Sequence, residues 1–230
     1  VQDPWPAVEP CILSSMQEDS ILLVDKPAGV TSFGVVARIR RRLSQQLGKK
    51  AKVGHTGTLD PFATGLMIIV TGKECRNAMQ YSKLDKEYEA VIELGKTSST
   101  GDPEGELTNV SDRQPSSEEI EAALAHFRGT IRQRPPIYSA IKIDGQRAYK
   151  LARKGEAVEI PEREVTVFSL EILDYQYPFV TVRTHVSSGT YIRSLAEDIG
   201  KVLETGAYCR ELRRTKIADY SVENAIPVEV

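Results

Sequence analysis

The longest strong apolar run in this chain is five residues, Leu66 to Val70 (LMIIV), and its brevity limits what the chain can become. A bilayer-spanning helix needs about 20 apolar residues, so this run reads as a buried strand. A second run, Ile21 to Val24 (ILLV), reads the same way and stops at the turn-forming Lys26-Pro27-Ala28-Gly29. Ser32 is placed to cap a helix whose apolar positions Val35, Val36, Ile39, Leu43 and Leu47 share one face, with Arg38, Arg40, Arg41 and Arg42 largely on others. EYEAVIEL (87–94) predicts a third strand; residues 165–173 and 179–186 predict two more, the second alternating Val180, Val182, Thr184 and Val186. Ser116 with Glu119 forms a capping-box pattern before Ile120, Ala123, Leu124 and Phe127. From Gly189 onward Ile192, Leu195, Ala196, Ile199 and Leu203 fall on one helical face. Strands and helices alternate irregularly and without a repeat, which predicts an α+β fold with a mixed, mostly antiparallel central sheet flanked by helices. The expected organisation is a flexible lead-in over 1–20 and one domain over 21–230.

With 230 residues and 40% hydrophobic side chains, the chain has the composition of a soluble globular protein. Its first ten residues, VQDPWPAVEP, lack a basic start followed by an apolar stretch, so no secretory signal is expected. Cys11, Cys75 and Cys209 are odd in number and widely spaced, which predicts neither a disulfide framework nor a metal site and fits a cytoplasmic setting.

The formal net charge of −2 argues on its face against a polyanion partner. Its distribution argues otherwise. Residues 38–52 hold seven basic side chains and no acid, 128–154 hold eight and one, and 210–216 hold four and one, leaving the rest of the chain acidic. Each window alone reads as a solvated face; brought together by the fold, they would make a polyanion-binding face.

The segment that could carry chemistry is Gly54-His55-Thr56-Gly57-Thr58-Leu59-Asp60-Pro61, continuing to Ala63-Thr64-Gly65. Glycines at this density let a ligand approach the backbone, and a carboxylate held among them is placed for work. The residues alone favour a structural turn in which Asp60 satisfies backbone N–H groups. No phosphate-loop or dinucleotide fingerprint is present.

Five segments taken together resemble, in order, the motifs of the TruB family of tRNA pseudouridine synthases: DKPAGVTS (25–32), GHTGTLDPFATGL (54–66), KEYEAVIELG (86–95), RPPIYSAIKIDGQRAYKLARKG (134–155) and SSGTYIRSLAEDIG (187–200). The resemblance runs from about Ile21 to Ser221. It implies the pseudouridine synthase fold, an isomerase without cofactor or metal, and tRNA as partner, with uridine 55 (tRNA numbering) of the T loop as the target in the bacterial enzymes. It implies no membrane association and a monomer. Asp60 then becomes the catalytic aspartate, kept ionised by Arg193, because burial alone would raise its pKa. From spacing alone, Arg193 would equally suit a surface pair with Glu197 one turn along its helix.

The same resemblance makes Tyr88 the tyrosine that stacks on the target base, where the residues alone suggest a strand aromatic packing a sheet face. Tyr191 is implied to support the pocket, Leu212 to line it beside the uracil, and Lys26 with Pro27 to shape it. His55 is implied to stack where the flipped uridine leaves the loop, since extruding a base costs a few kcal/mol; His126 and His185 match no functional position. Residues about 128–155 are implied to form an RNA-gripping insertion, with Lys142, Arg147 and Lys150 among its phosphate contacts. Two departures stand out. Val186 occupies a position that is often Cys, and the chain is expected to lack the small C-terminal PUA-like domain common in bacterial relatives. The alternative functions are an RNA-binding or tRNA-folding module with lost or secondary catalysis, and a related synthase acting on another uridine.

Overall fold

A computed structural model describes residues 18–139, 142–143, 146–147 and 160–228. They fall in two compact units, one comprising the chain up to Leu84 together with Arg213 onward, the other Asp85–Leu212.

The first unit is built on β1 (Ile21–Lys26) and β3 (Thr64–Thr71), antiparallel with Ile21 opposite Val70 and Lys26 opposite Gly65. Leu66, Met67, Ile68, Ile69 and Val70 are all buried, as a run apolar on both faces requires. The other edge of β3 is shared. β2 (Val53–His55) pairs with its last residues, and the end of β12 (Ala207–Ile217) pairs in parallel with its first, Arg213 opposite Thr64 and Arg214 opposite Gly65. Residues 56–63 therefore form the loop of an open β2–β3 hairpin, and β12 enters where the hairpin splays. β13 (Tyr220–Ser221) and β14 (Ile226–Pro227) complete the sheet, β14 running parallel to β1.

Helix α1 (Ser32–Leu47) buries Val35, Val36, Ile39 and Leu43 as its pattern predicts, with Leu47 half-buried. Its cap is Thr31, whose hydroxyl accepts the Gly34 amide at 2.9 Å, and not Ser32. Ser32 is instead turned inward, toward the 56–63 loop. Lys73 donates its backbone N–H to Asp19 at 2.7 Å, and Ser20 donates its own to the Thr71 hydroxyl at 3.0 Å, so residues 19 and 20 are tied down; residues 1–17 lie outside the described residues. A short helix, α2 (Ala78–Ser82), closes this stretch.

In the second unit the strand order is β12, β4 (Lys86–Leu94), β11 (Phe179–Val186), β10 (Arg163–Gln176), β7 (Gly129–Gln133). The β4–β11, β11–β10 and β10–β7 ladders are antiparallel. Val180, Val182, Thr184 and Val186 are all buried, so the predicted alternation holds along the whole of β11. A small ladder joins β5 (Lys96–Ser98) to β6 (Leu107–Asn109), and another joins β8 (Lys142–Ile143) to β9 (Gln146–Arg147). Helix α3 (Ser117–Ala125) opens on the predicted capping box and packs against β10 and against α4 (Ile192–Val202). With parallel and antiparallel pairs both present, the sheet is mixed and mostly antiparallel, the α+β class the pattern predicts.

Candidate active site

Each unit contributes its own group of candidate residues. In the first, the 56–63 loop is pinned on both sides of Asp60. The Ser32 hydroxyl accepts the Leu59 amide and donates to the Leu59 carbonyl, both at 2.8 Å. Pro61 offers its carbonyl to the Gly29 amide at 2.8 Å and to the Lys26 ammonium at 3.2 Å. Lys26, fully buried, also donates to the carbonyls of Val30 and Pro27 at 2.8 Å each. The Ala63 amide returns to the Asp60 carbonyl at 3.2 Å, closing a turn that leaves Asp60 itself half-buried. This arrangement has the pinned backbone of a structural turn, and it also fixes a carboxylate at the mouth of a hairpin. His55 sits at the end of β2, half-buried and opposite Ile69.

In the second unit Tyr88 lies on β4 opposite Thr184 and is 8% exposed. Arg193 occupies the first turn of α4, a poor place for a cation because unpaired N–H groups there carry partial positive charge. Its partner resolves the conflict. The Asp102 carboxylate accepts from the guanidinium at 2.8 Å, and the two side chains are 5% and 3% exposed respectively. Arg193 also donates to the Thr100 carbonyl at 2.8 Å and the Tyr138 carbonyl at 2.7 Å. The other Asp102 oxygen accepts from the Thr100 hydroxyl at 2.6 Å and the Glu104 amide at 3.0 Å. Beside this network Glu197 is half-buried, and that burial pushes its carboxyl above the usual carboxylate range.

Tyr191, at the N-cap of α4, is clamped through its backbone. Gln133, 1% exposed, accepts the Tyr191 amide at 2.8 Å and donates to its carbonyl at 3.0 Å. Arg163 lies over the Tyr191 ring at 5.1 Å and donates to the Gly189 carbonyl. Leu212, 8% exposed, sits on β12. Lys142 and Arg147 face each other as backbone partners of the β8–β9 ladder; Lys150 and the turn expected at Asp144-Gly145 lie outside the described residues. His185 is held against Phe168, their rings 4.7 Å apart. Among the described residues no cluster of His, Cys, Asp or Glu could hold a metal ion, and no helix is long and apolar enough to cross a membrane.

The basic window 210–216 is divided between surface and interior: Arg210 and Lys216 are exposed, while Arg214 is buried. Arg210 pairs at 2.6 Å with Glu93, and Arg213 pairs at 2.7 Å with Asp25. Arg214 is 1% exposed. An internal carboxylate or carbonyl is a better partner for a partly desolvated guanidinium than solvent, so all three are paired within the fold while Arg210 and Arg213 keep an exposed side. Glu93 in turn is pushed up by burial but held net below its ordinary value by hydrogen bonds from Lys96, Tyr208 and Arg210.

The mixed, mostly antiparallel sheet with its flanking helices is the fold of the pseudouridine synthases, as similarity to solved structures shows. The chain is similar to one in the crystal structure of a Cbf5-Nop10-Gar1 complex, with TM-score 0.70 and 30% identity over 92% of this chain and 53% of that one. It is also similar to one in an H/ACA RNP bound to a substrate RNA containing 2′-deoxyuridine, with TM-score 0.67 and 27% identity over 95% of this chain and 53% of that one. The chain spans about half the length of these two neighbours. The chain belongs to the TruB family: residues 41–192 match the model of the TruB family pseudouridylate synthase N-terminal domain, and 193–229 that of the tRNA pseudouridylate synthase B C-terminal domain. It is 44% identical over 217 residues to tRNA pseudouridine synthase B of Phocaeicola vulgatus, covering 94% of this chain and 92% of that one. It is 43% identical to that of Pseudomonas aeruginosa, covering 91% of this chain and 67% of the relative.

Proposed function

We propose that this chain converts uridine 55 in the T loop of tRNA to pseudouridine. The observation that carries the reading is the match to relatives called tRNA pseudouridine synthase B, 41–44% identical across more than nine-tenths of the chain. The reaction breaks the N1–C1′ bond, turns the uracil, joins C5 to C1′, and moves a proton from C5 to N1, so no redox partner is required.

In this reading Asp60 is the carboxylate that attacks or stabilises the electron-poor intermediate. The pinning of Leu59 and Pro61 supports it, because a nucleophile fixed before substrate arrives loses less freedom in the transition state. Arg193, held by Asp102, is the arginine that the family resemblance assigns to the site. Tyr88 stacks on the flipped uracil beside Leu212 and assists loss of the C5 proton. Tyr191, clamped by Gln133 and Arg163, supports the pocket, and His55 stacks on bases of the opened loop. Lysines and arginines of 38–52 and 128–155, with Lys142, Arg147 and Lys150 among them, contact RNA phosphates.

Asp60→Asn tests the reading on an unmodified T-arm stem-loop. Pseudouridine formation is expected to disappear while RNA affinity stays within a few fold; product from the variant, or a modified site other than position 55 on whole tRNA, would refute it.

A further inference from the structure

Arg214 is the largest of the fully buried side chains, at 1% exposure, and among the described residues it makes no ion pair. A guanidinium in such a place is expensive: well-packed apolar side chains usually serve a core at least as well as buried charge. What the fold obtains in return is visible in its two partners. Nε donates to the Leu66 carbonyl at 2.7 Å, and Nη2 donates to the Gly57 carbonyl at 3.2 Å. One carbonyl lies in the loop before Asp60 and the other on β3 after it.

The backbone repeats the same contact. Gly65 has φ +106° and faces Arg214 across the parallel ladder; a Cβ there would overlap the Arg214 backbone, lying 2.7 Å from its nitrogen. A Cβ on Gly57 would lie 3.5 Å from Nη1 of the same guanidinium. The hairpin therefore closes directly onto Arg214, and a rigid planar fork spans the gap where β2 and β3 part.

From this we infer that Arg214 is a positioning residue for Asp60: it ties the leading part of the 56–63 loop to β3 and sets where the carboxylate stands when RNA arrives. The inference rests on the reading of Asp60 given above. Lysine, with one shorter ammonium head, can serve one carbonyl well but not both; methionine serves neither.

The test compares Arg214→Lys and Arg214→Met with the unaltered chain, each first checked for a native circular dichroism spectrum and cooperative melting. Single-turnover pseudouridine formation and the Kd for a T-arm stem-loop are then measured separately. A displacement of about 1 Å at a reacting group costs about 100-fold in rate, so Arg214→Met is expected to lose about that much with Kd changed less than threefold. Arg214→Lys is expected to recover part of the loss. The inference is overturned by Arg214→Met turning over at the normal rate, or by a Kd that weakens as much as the rate falls, which would make Arg214 an RNA contact. Should Arg214→Met not fold, a normal rate for Arg214→Lys overturns it and a slowed rate at unchanged Kd sustains it. Product from Asp60→Asn would be a different failure, removing the catalytic assignment itself.

Discussion

Replacing Asp102 by alanine isolates the most deeply buried ion pair among the described residues of the second unit. The substitution removes the acceptor of Arg193, of the Thr100 hydroxyl and of the Glu104 amide, and leaves a guanidinium that is 3% exposed. Breaking a buried pair from one side costs about 3–5 kcal/mol, because the surviving charge keeps its desolvation penalty. Arg193 retains its other partners, the carbonyls of Thr100 and Tyr138 among them, which places the loss at the lower end, about 3 kcal/mol. For a chain of 230 residues that corresponds to a fall in Tm of about 6–12 °C. Asp102→Asn keeps an oxygen for Thr100 and Glu104 but turns its NH2 group toward the guanidinium, donor against donor, so it should recover little of the loss. Replacing both partners, Asp102→Leu with Arg193→Met, should recover much of the stability while abolishing turnover. Urea and thermal melts followed by circular dichroism read all of these. An alanine variant within about 0.5 kcal/mol of the unaltered chain would show that the pair is not desolvated in solution and would refute the accounting.

Three further outcomes follow from the same reasoning. Gly65→Ala combines a left-handed φ with a Cβ that overlaps the Arg214 backbone, so it should cost about 2–4 kcal/mol in urea melts, against less than 1 for alanine at Gly54, where a Cβ meets nothing closer than 3.8 Å. Burial raises the Glu197 pKa above 4.5, so the folded state binds more protons than the unfolded one: its contribution is full below pH 4.5 and is lost as pH rises through the folded value. Glu197→Gln should therefore flatten that slope and melt at least as high at pH 7; a lower Tm at pH 7 would count against it. Glu93 has the opposite sign. Its net lowered pKa gives stability present above 4.5 and lost as pH falls through the folded value, so Glu93→Gln should lose about 2 kcal/mol at pH 7 and less in acid, as pH-dependent melting can check.

Local physics made much of this molecule legible. The capping box at Ser116 and Glu119 forms because both partners lie within one turn. The apolar faces of α1 and α4 and the alternation of β11 are buried as drawn, since period and hydrophobicity need no knowledge of what lies opposite. Thr31 rather than Ser32 caps α1 because it satisfies the same local rule one residue earlier, which frees the Ser32 hydroxyl for Leu59, 27 residues away. Asp102 sits in a turn-rich acidic stretch whose pattern says nothing of Arg193, 91 residues on. Gln133 carries no local signal either; its amide matters only because the Tyr191 backbone meets it.

By itself, then, the sequence determined β1, β3, β4, β10 and β11, the three longer helices, the α+β class and, through five ordered motifs, the family to which Asp60 belongs. Tertiary structure alone decided the fate of the charges. Residues 210–216 count as a basic window, yet Arg210 and Arg213 are matched by distant carboxylates and Arg214 by the carbonyls of a loop. Composition counts a guanidinium the same wherever it stands; whether it meets RNA or holds a loop depends on burial and on partners that only the folded chain brings within about 3 Å.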